Sequence, residues 1–119
     1  FLVSLPRLFG PAQAVLKQAK VLVKNAIILS DLSEIEQLSE HFPDITIDLG
    51  MLARRNYYTG MMFRVFSDRV PYAFLSGGRY DKLFERFDAR EMCAVGWALD
   101  VDAIYEEVRR DIVFDGGDA

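Results

Sequence analysis

The hydrophobic spacing of this chain changes character at Pro43-Asp44, and that change limits what it can fold into. Upstream, Val15, Leu16, Ala19, Leu22, Val23 and Ala26 recur at helical spacing, with Gln13, Lys17, Lys20 and Lys24 on the opposite side. Pro11 suits the first turn of that helix. Asp31 is expected to start a second helix, with Glu34 three residues on reaching back to free N–H groups and Leu32, Ile35, Leu38 and Phe42 along one stripe. Both helices should lie on a sheet. Downstream of the break, Ile45, Ile47 and Leu49 alternate with Thr46 and Asp48 as in a half-buried strand.

From there the chain reads as β structure. Residues 61–66 and 72–75 are β-prone and are separated by Ser67-Asp68-Arg69-Val70-Pro71, which predicts a hairpin. After Gly77-Gly78 a short helix over 80–87 is expected, and the apolar run 92–99 reads as a central strand. Asp100 then caps a last helix with Val101, Ile104, Tyr105 and Val108 on its stripe, and Asp115-Gly116-Gly117-Asp118 should fray. The class is α+β. At 119 residues and 51% hydrophobic content, one domain or a piece of one is expected, without internal repeats.

The first ten residues lack the basic start and apolar run of a signal peptide, and the chain opens on Phe1, which predicts a piece of a longer polypeptide. Lys or Asp interrupts every apolar run short of a membrane span, so no membrane partner is expected. Cys93 stands alone, and no Cys/His cluster offers a metal site, which suits a reducing compartment such as the cytoplasm. The formal charge of -4 argues against indiscriminate nucleic-acid binding. Its distribution is uneven: no Lys or Arg lies between Lys24 and Arg54, while Arg54, Arg55, Arg64, Arg69, Arg79, Lys82, Arg86 and Arg90 make the middle locally basic. That suits a phosphate or carboxylate ligand or an acidic partner, and equally a solvated surface.

Three segments carry candidate chemistry. Asn56-Tyr57-Tyr58-Thr59-Gly60 puts two rings with hydroxyl tips beside a permissive glycine, fit either for a planar ligand such as imidazole or for plain packing. Ser76-Gly77-Gly78-Arg79-Tyr80-Asp81, between a strand and an expected helix, lets backbone N–H groups approach a ligand, with Arg79 able to fork onto an anion. A simple turn, or an Arg79–Asp81 pairing, explains it as well. Ala94-Val95-Gly96-Trp97-Ala98-Leu99-Asp100 places Gly96 inside a strand, where a ligand ring or another strand could require close approach; packing beside Trp97 is the alternative. Cys93 and His41 make no nucleophile and base: the cysteine reads as core, and His41 as a complement to a helix dipole.

Taken in order, these segments resemble the histidyl-tRNA synthetase family, including its paralogue, the regulatory subunit of short-form ATP phosphoribosyltransferase. The family pattern runs Arg-Gly-x-[Asp/Asn]-Tyr-Tyr-Thr-Gly, then Gly-Gly-Gly-Arg-Tyr-Asp, then Ala-Val-Gly-Phe-Ala-[Ile/Leu]-Gly-x-Glu-Arg. Leu5-Pro6-Arg7-Leu8-Phe9-Gly10 is similar to the connection in the regulatory paralogue. The resemblance implies a class II synthetase-like antiparallel sheet with flanking helices, of which residues 1–119 are the C-terminal part, with no anticodon-binding domain. It implies histidine binding by Tyr57, Tyr58, Gly77, Gly78, Arg79 and Tyr80, with Tyr58 near the imidazole.

The departures from the pattern separate regulator from enzyme. In the synthetases the arginine opening the first motif polarises the histidine carboxylate and ATP; it aligns with Ala53, and Arg54, one residue on, faces the other way in an extended segment. The arginine ending the third motif, which neutralises ATP, aligns with Ala103, and the glycine before it with Asp100. Ser76 replaces the first glycine of the second motif, and Arg55 an apolar residue of the first. The resemblance therefore implies a non-catalytic subunit that needs no cofactor, binds no tRNA, self-associates as a dimer and joins the catalytic subunit of ATP phosphoribosyltransferase. It would serve the first step of histidine biosynthesis and feedback by histidine. A fragment of an active histidine–tRNA ligase is the rival reading, and a histidine-binding paralogue with another partner the third.

Overall fold

Pro11 stands at the cap of the first helix instead of inside it, because Phe9–Pro11 is itself a short strand, β1. The computed structural model describes residues 3–52, 58–87 and 92–116. Where length predicts one domain, the chain forms two compact units, Phe1–Arg54 and Arg55–Ala119.

In the first unit a 3-10 turn, Leu5–Arg7, leads into β1, which pairs antiparallel with β2 (Thr46–Asp48), Gly10 opposite Ile47. Gly10 has φ 143°, a left-handed conformation that favours glycine. Helix α1 (Ala12–Leu22) buries Ala12, Val15, Leu16 and Ala19, and helix α2 (Ala26–His41) buries Leu32. These side chains, with Val23 and Ile47, form the core that the helical stripe and the alternation of residues 45–49 predict. The start of α2 differs from expectation: Asn25, not Asp31, is the cap, its Oδ1 accepting from the N–H groups of Ile27 (2.9 Å) and Ile28 (3.3 Å). Ala26 therefore opens α2 instead of ending α1, and Asp31 lies within the helix. Phe42, expected on the buried stripe, is exposed beyond its last turn. His41 sits in that last turn, with Nδ1 3.0 Å from the Gln37 carbonyl.

The second unit is built on the antiparallel order β3 (Met62–Val65), β4 (Leu75–Arg79), β5 (Val95–Leu99). The predicted hairpin forms, but its second strand lies further along, since residues 66–74 make the connection and Ser76, Gly77 and Gly78 are inside β4. The glycines are thus ladder residues and not a phosphate-type loop. Tertiary contact overrides their low strand propensity: side chains from elsewhere lie where their Cβ atoms would be. Among the described strands β4 is central and β5 is flanked on one side only, with Val95 72%, Trp97 70% and Leu99 55% exposed. The expected helix over 80–87 shrinks to a 3-10 turn, Phe84–Phe87, because Asp81 is held by side-chain bonds before a helix can start.

Helix α3 (Val101–Gly116) begins as predicted: Asp100 Oδ1 accepts from the Ala103 N–H at 3.0 Å. Ala103 is wholly buried. Ser67 hydrogen-bonds Glu107, and Arg69 pairs with Glu107 at 3.7 Å and Asp111 at 3.2 Å, joining the 66–74 connection to α3. These pairs are half-exposed and contribute about 0–1 kcal/mol each.

The Glu106 carboxylate beside the Tyr72 phenol, with desolvation and the charges of Asp100 and Asp102, holds its pKa above the ordinary value. The folded state therefore keeps its proton longer than the unfolded chain. The stabilisation is fully present below the unfolded value of about 10 and is lost as pH rises through the raised one. Thermal melts of Tyr72→Phe should consequently decline less steeply above about pH 10 than those of the unaltered protein; parallel declines would show that Tyr72 contributes nothing.

Candidate functional site

Because side chains alternate across a sheet, the register of β3, β4 and β5 sorts the second unit into two faces. Gly78 lies opposite Met62 on one side and Gly96 on the other, so Met62, Arg64, Ser76, Gly78, Gly96 and Ala98 share one face. Phe63, Val65, Leu75, Gly77, Arg79, Val95, Trp97 and Leu99 share the other.

On the first face two tyrosines cover a cross-strand pair of glycines. A Cβ on Gly78 would lie 2.7 Å from Tyr58 Cδ1, and one on Gly96 would overlap the Tyr80 hydroxyl and come 3.0 Å from Cζ. Those are distances real side chains do not adopt, so the glycines are what admit the rings. Tyr58 and Tyr80 are half-buried, and Gly78 beneath them is buried. Each ring therefore packs directly on its glycine, and the two hydroxyl-bearing rings lie on one face of the sheet, where their polar tips and flat faces are groups a small planar ligand could use.

Gly77 and Arg79 belong to the opposite face. The space beside Gly77 holds the Phe63 ring, and a Cβ there would lie 2.7 Å from its tip. Arg79 Nε donates to Asp81 Oδ2 at 2.7 Å, and its Nη2 lies 3.5 Å from Cys93 Sγ. The hydrogen bond and charge of Asp81, with a smaller contribution from Cys93, hold the guanidinium above its ordinary pKa. The cation is thus committed to a carboxylate of its own chain. Cys93, expected in the core, is exposed.

Of the six candidate residues, the structure brings together Tyr58, Gly78 and Tyr80 and sets Gly77 and Arg79 on the other side of the sheet. Tyr57 lies outside the described residues, as do Ala53, Arg54, Arg55 and Asn56. Gly96 meets the close approach its place in a strand predicts, and the ring that requires it is Tyr80. Arg64, read from the sequence only as one of the charges of the basic middle, is placed on the tyrosine face by its alternation with Phe63 and Val65. Sequence reasoning missed the part played by Thr59, whose Oγ1 accepts from the Asp81 N–H at 3.0 Å. In the first unit a cleft of about 260 Å³ is lined by Pro11, Ala12, Gln13, Ser39, Glu40 and Pro43 and includes none of the predicted site residues.

The fold and motif order have counterparts in known proteins. A family model described as histidyl-tRNA synthetase matches residues 1–104. The chain is 50% identical over 121 aligned residues to the ATP phosphoribosyltransferase regulatory subunit of Streptococcus gordonii, covering 98% of this chain and 37% of that protein. It is 51% identical to the protein of the same name from Streptococcus thermophilus, covering 97% of this chain and 36% of that one. The solved structure of an ATP phosphoribosyltransferase regulatory subunit/histidyl-tRNA synthetase from Bacillus halodurans C matches with a TM-score of 0.77 and 28% identity, over 89% of this chain and 29% of that chain. The chain spans little more than a third of the length of these two curated relatives. With the α+β architecture, the motif order and a family-model match from residue 1 to residue 104, the chain belongs to the histidyl-tRNA synthetase family.

Proposed function

We propose that this chain is part of a non-catalytic regulatory subunit of short-form ATP phosphoribosyltransferase, working in the cytoplasm in the first step of histidine biosynthesis. The observation that carries the reading is the start of α3. Where the synthetase pattern has glycine and arginine, this chain has Asp100, whose carboxylate caps the helix, and Ala103, which is wholly buried. Polyphosphate would meet an acid in place of the glycine and a buried alanine in place of the arginine. Removing one stabilising donor from such a site costs about 3–4 kcal/mol in the transition state, so adenylate formation is not expected. The names of the similar proteins support the same reading.

The ligand of the tyrosine face is histidine, bound by the rings and hydroxyl tips of Tyr58 and Tyr80, which pack on Gly78 and Gly96. Tyr57 belongs to the same motif, and Gly77 and Arg79 support the site from the other side of β4. The subunit dimerises, binds the catalytic subunit, and needs neither tRNA nor a membrane; among the described residues no helix is long and apolar enough to cross one.

The experiment is to mix the full-length protein with a short-form catalytic subunit and measure activity with and without histidine. A complex whose activity rises on mixing and falls with histidine is expected. No complex and no activation would overturn the assignment. The rival, an active histidine–tRNA ligase, is favoured by the description of the matching family model and predicts pyrophosphate exchange dependent on histidine and ATP. None is expected, and detectable exchange by the full-length protein would sink the non-catalytic reading.

A further inference from the structure

Behind the tyrosine face, Asp81 ties together the three segments that hold it, two through its carboxylate and the third through its backbone N–H. Asp81 Oδ2 accepts from Arg79 Nε at 2.7 Å at the end of β4, and Oδ1 accepts from the Ala94 N–H at 3.1 Å at the approach to β5. Its own N–H donates to Thr59 Oγ1 at 3.0 Å. Backbone bonds close the same loop: the Thr59 N–H donates to the Arg79 carbonyl at 2.9 Å and the Tyr80 N–H to the Ala94 carbonyl at 2.8 Å. Thr59 follows Tyr58 in the chain, and Asp81 follows Tyr80. The Thr59–Asp81 bond therefore links the residues directly after the two rings, and the Ala94–Asp81 bond fixes that link to the strand bearing Gly96. Arg79 reinforces it along its own stem, whose Cδ would lie 3.3 Å from a Cβ on Gly60.

From this geometry we propose that Asp81 is the positioning residue of the site, its carboxylate holding Tyr80 over Gly96 by fixing the end of β4 to the approach to β5, without touching the ligand itself. The histidine part of the inference rests on the function proposed above; the placement of the Tyr80 ring does not. Hydrogen bonds to a charged carboxylate are the stronger kind, and a carboxylate that accepts from two elements fixes their spacing as neither could alone. Asp81→Ala removes both acceptors. Asp81→Asn keeps an oxygen for the Ala94 N–H and opposes its amide donors to Arg79 Nε, so it isolates the arginine bond.

The test uses the full-length protein and two readouts. In nuclear Overhauser spectra, Asp81→Ala should lose the contact of the Tyr80 ring with Gly96 Hα, while the Tyr58 ring, tied through the Asp81 N–H that alanine keeps, retains its contact with Gly78 Hα and the Phe63 ring keeps its contact with Gly77 on the other face. Asp81→Asn should retain the Tyr80 contact. If both faces lose their contacts together, or neither does, Asp81 has no positioning role and the proposal is overturned. In calorimetric titration with histidine, Asp81→Ala should weaken binding about 10-fold in the unaltered background and less than about 2-fold when Tyr80 is already Ala, the coupling expected of a residue that acts through another. Equal losses in both backgrounds would count against action through Tyr80. Absence of histidine binding by the unaltered protein, with the ring contacts shifting as expected, would remove histidine as the ligand and leave the positioning role standing.

Discussion

Gly96→Ala should leave the fold standing and take away the site. The added methyl would overlap the Tyr80 hydroxyl and lie 3.0 Å from Cζ and 3.1 Å from Cε1, so its three nearest neighbours all belong to the outer half of one side chain. Such a side chain can rotate away. The exchange also removes backbone freedom from the unfolded chain, which favours alanine in a strand by roughly 0.5–1 kcal/mol. Stability should consequently change by less than about 1 kcal/mol, while histidine binding to the full-length protein falls at least about 10-fold because one ring of the site has swung off its glycine.

The neighbouring glycines supply the contrast. At Gly77 an added Cβ would run into the main-chain carbonyl of Gly96, and at Gly78 into that of Met61 at 2.7 Å. Main chain cannot rotate away without breaking strand pairing. Gly77→Ala and Gly78→Ala should therefore lower the midpoint of thermal unfolding, whereas Gly96→Ala should not. Melting curves of the three variants beside histidine titrations decide the matter: a Gly96→Ala protein that binds histidine normally would show that the Tyr80 ring is not part of the site.

The same glycines mark where the sequence could be read and where it could not. Helix α1, the alternation over residues 45–49 and the Asp100 cap follow from local spacing and capping chemistry, and the structure reproduces them. Local chemistry misplaced the second helix only because Asn25 and Asp31 are both good caps, and the choice between them depends on where the chain leaves the core after Val23. Gly77 and Gly78 read as a turn because nothing in the sequence shows that Phe63 and Tyr58 come to lie over them. Once they are in a strand, alternation divides the predicted site residues between two faces, and a motif read as one ligand loop becomes a tyrosine face with a charged brace behind it. Motif order identified the segments; the side each residue faces depended on register, which is a long-range property.

In the first unit the largest loss is expected from Leu16→Ala. Leu16 is 3% exposed in a core whose buried members, among the described residues, are Ala12, Val15, Ala19, Val23, Leu32 and Ile47 besides itself. Emptying a leucine-sized space in such a core costs about 2–5 kcal/mol, part of it transfer free energy and part the cavity that rigid neighbours leave unfilled. A unit of 54 residues has roughly 3–8 kcal/mol to lose at 0.05–0.15 kcal/mol per residue. The substitution should therefore unfold a large fraction of this unit or bring it to the edge of unfolding. Val21 sits on the same helix but is 78% exposed, and Val21→Ala should move stability by less than about 0.5 kcal/mol. Urea denaturation followed by native-state hydrogen exchange at the α1 amides measures both. Equal exchange rates in the two variants would mean that the core of this unit is not what holds α1, and that some other contact fixes the helix.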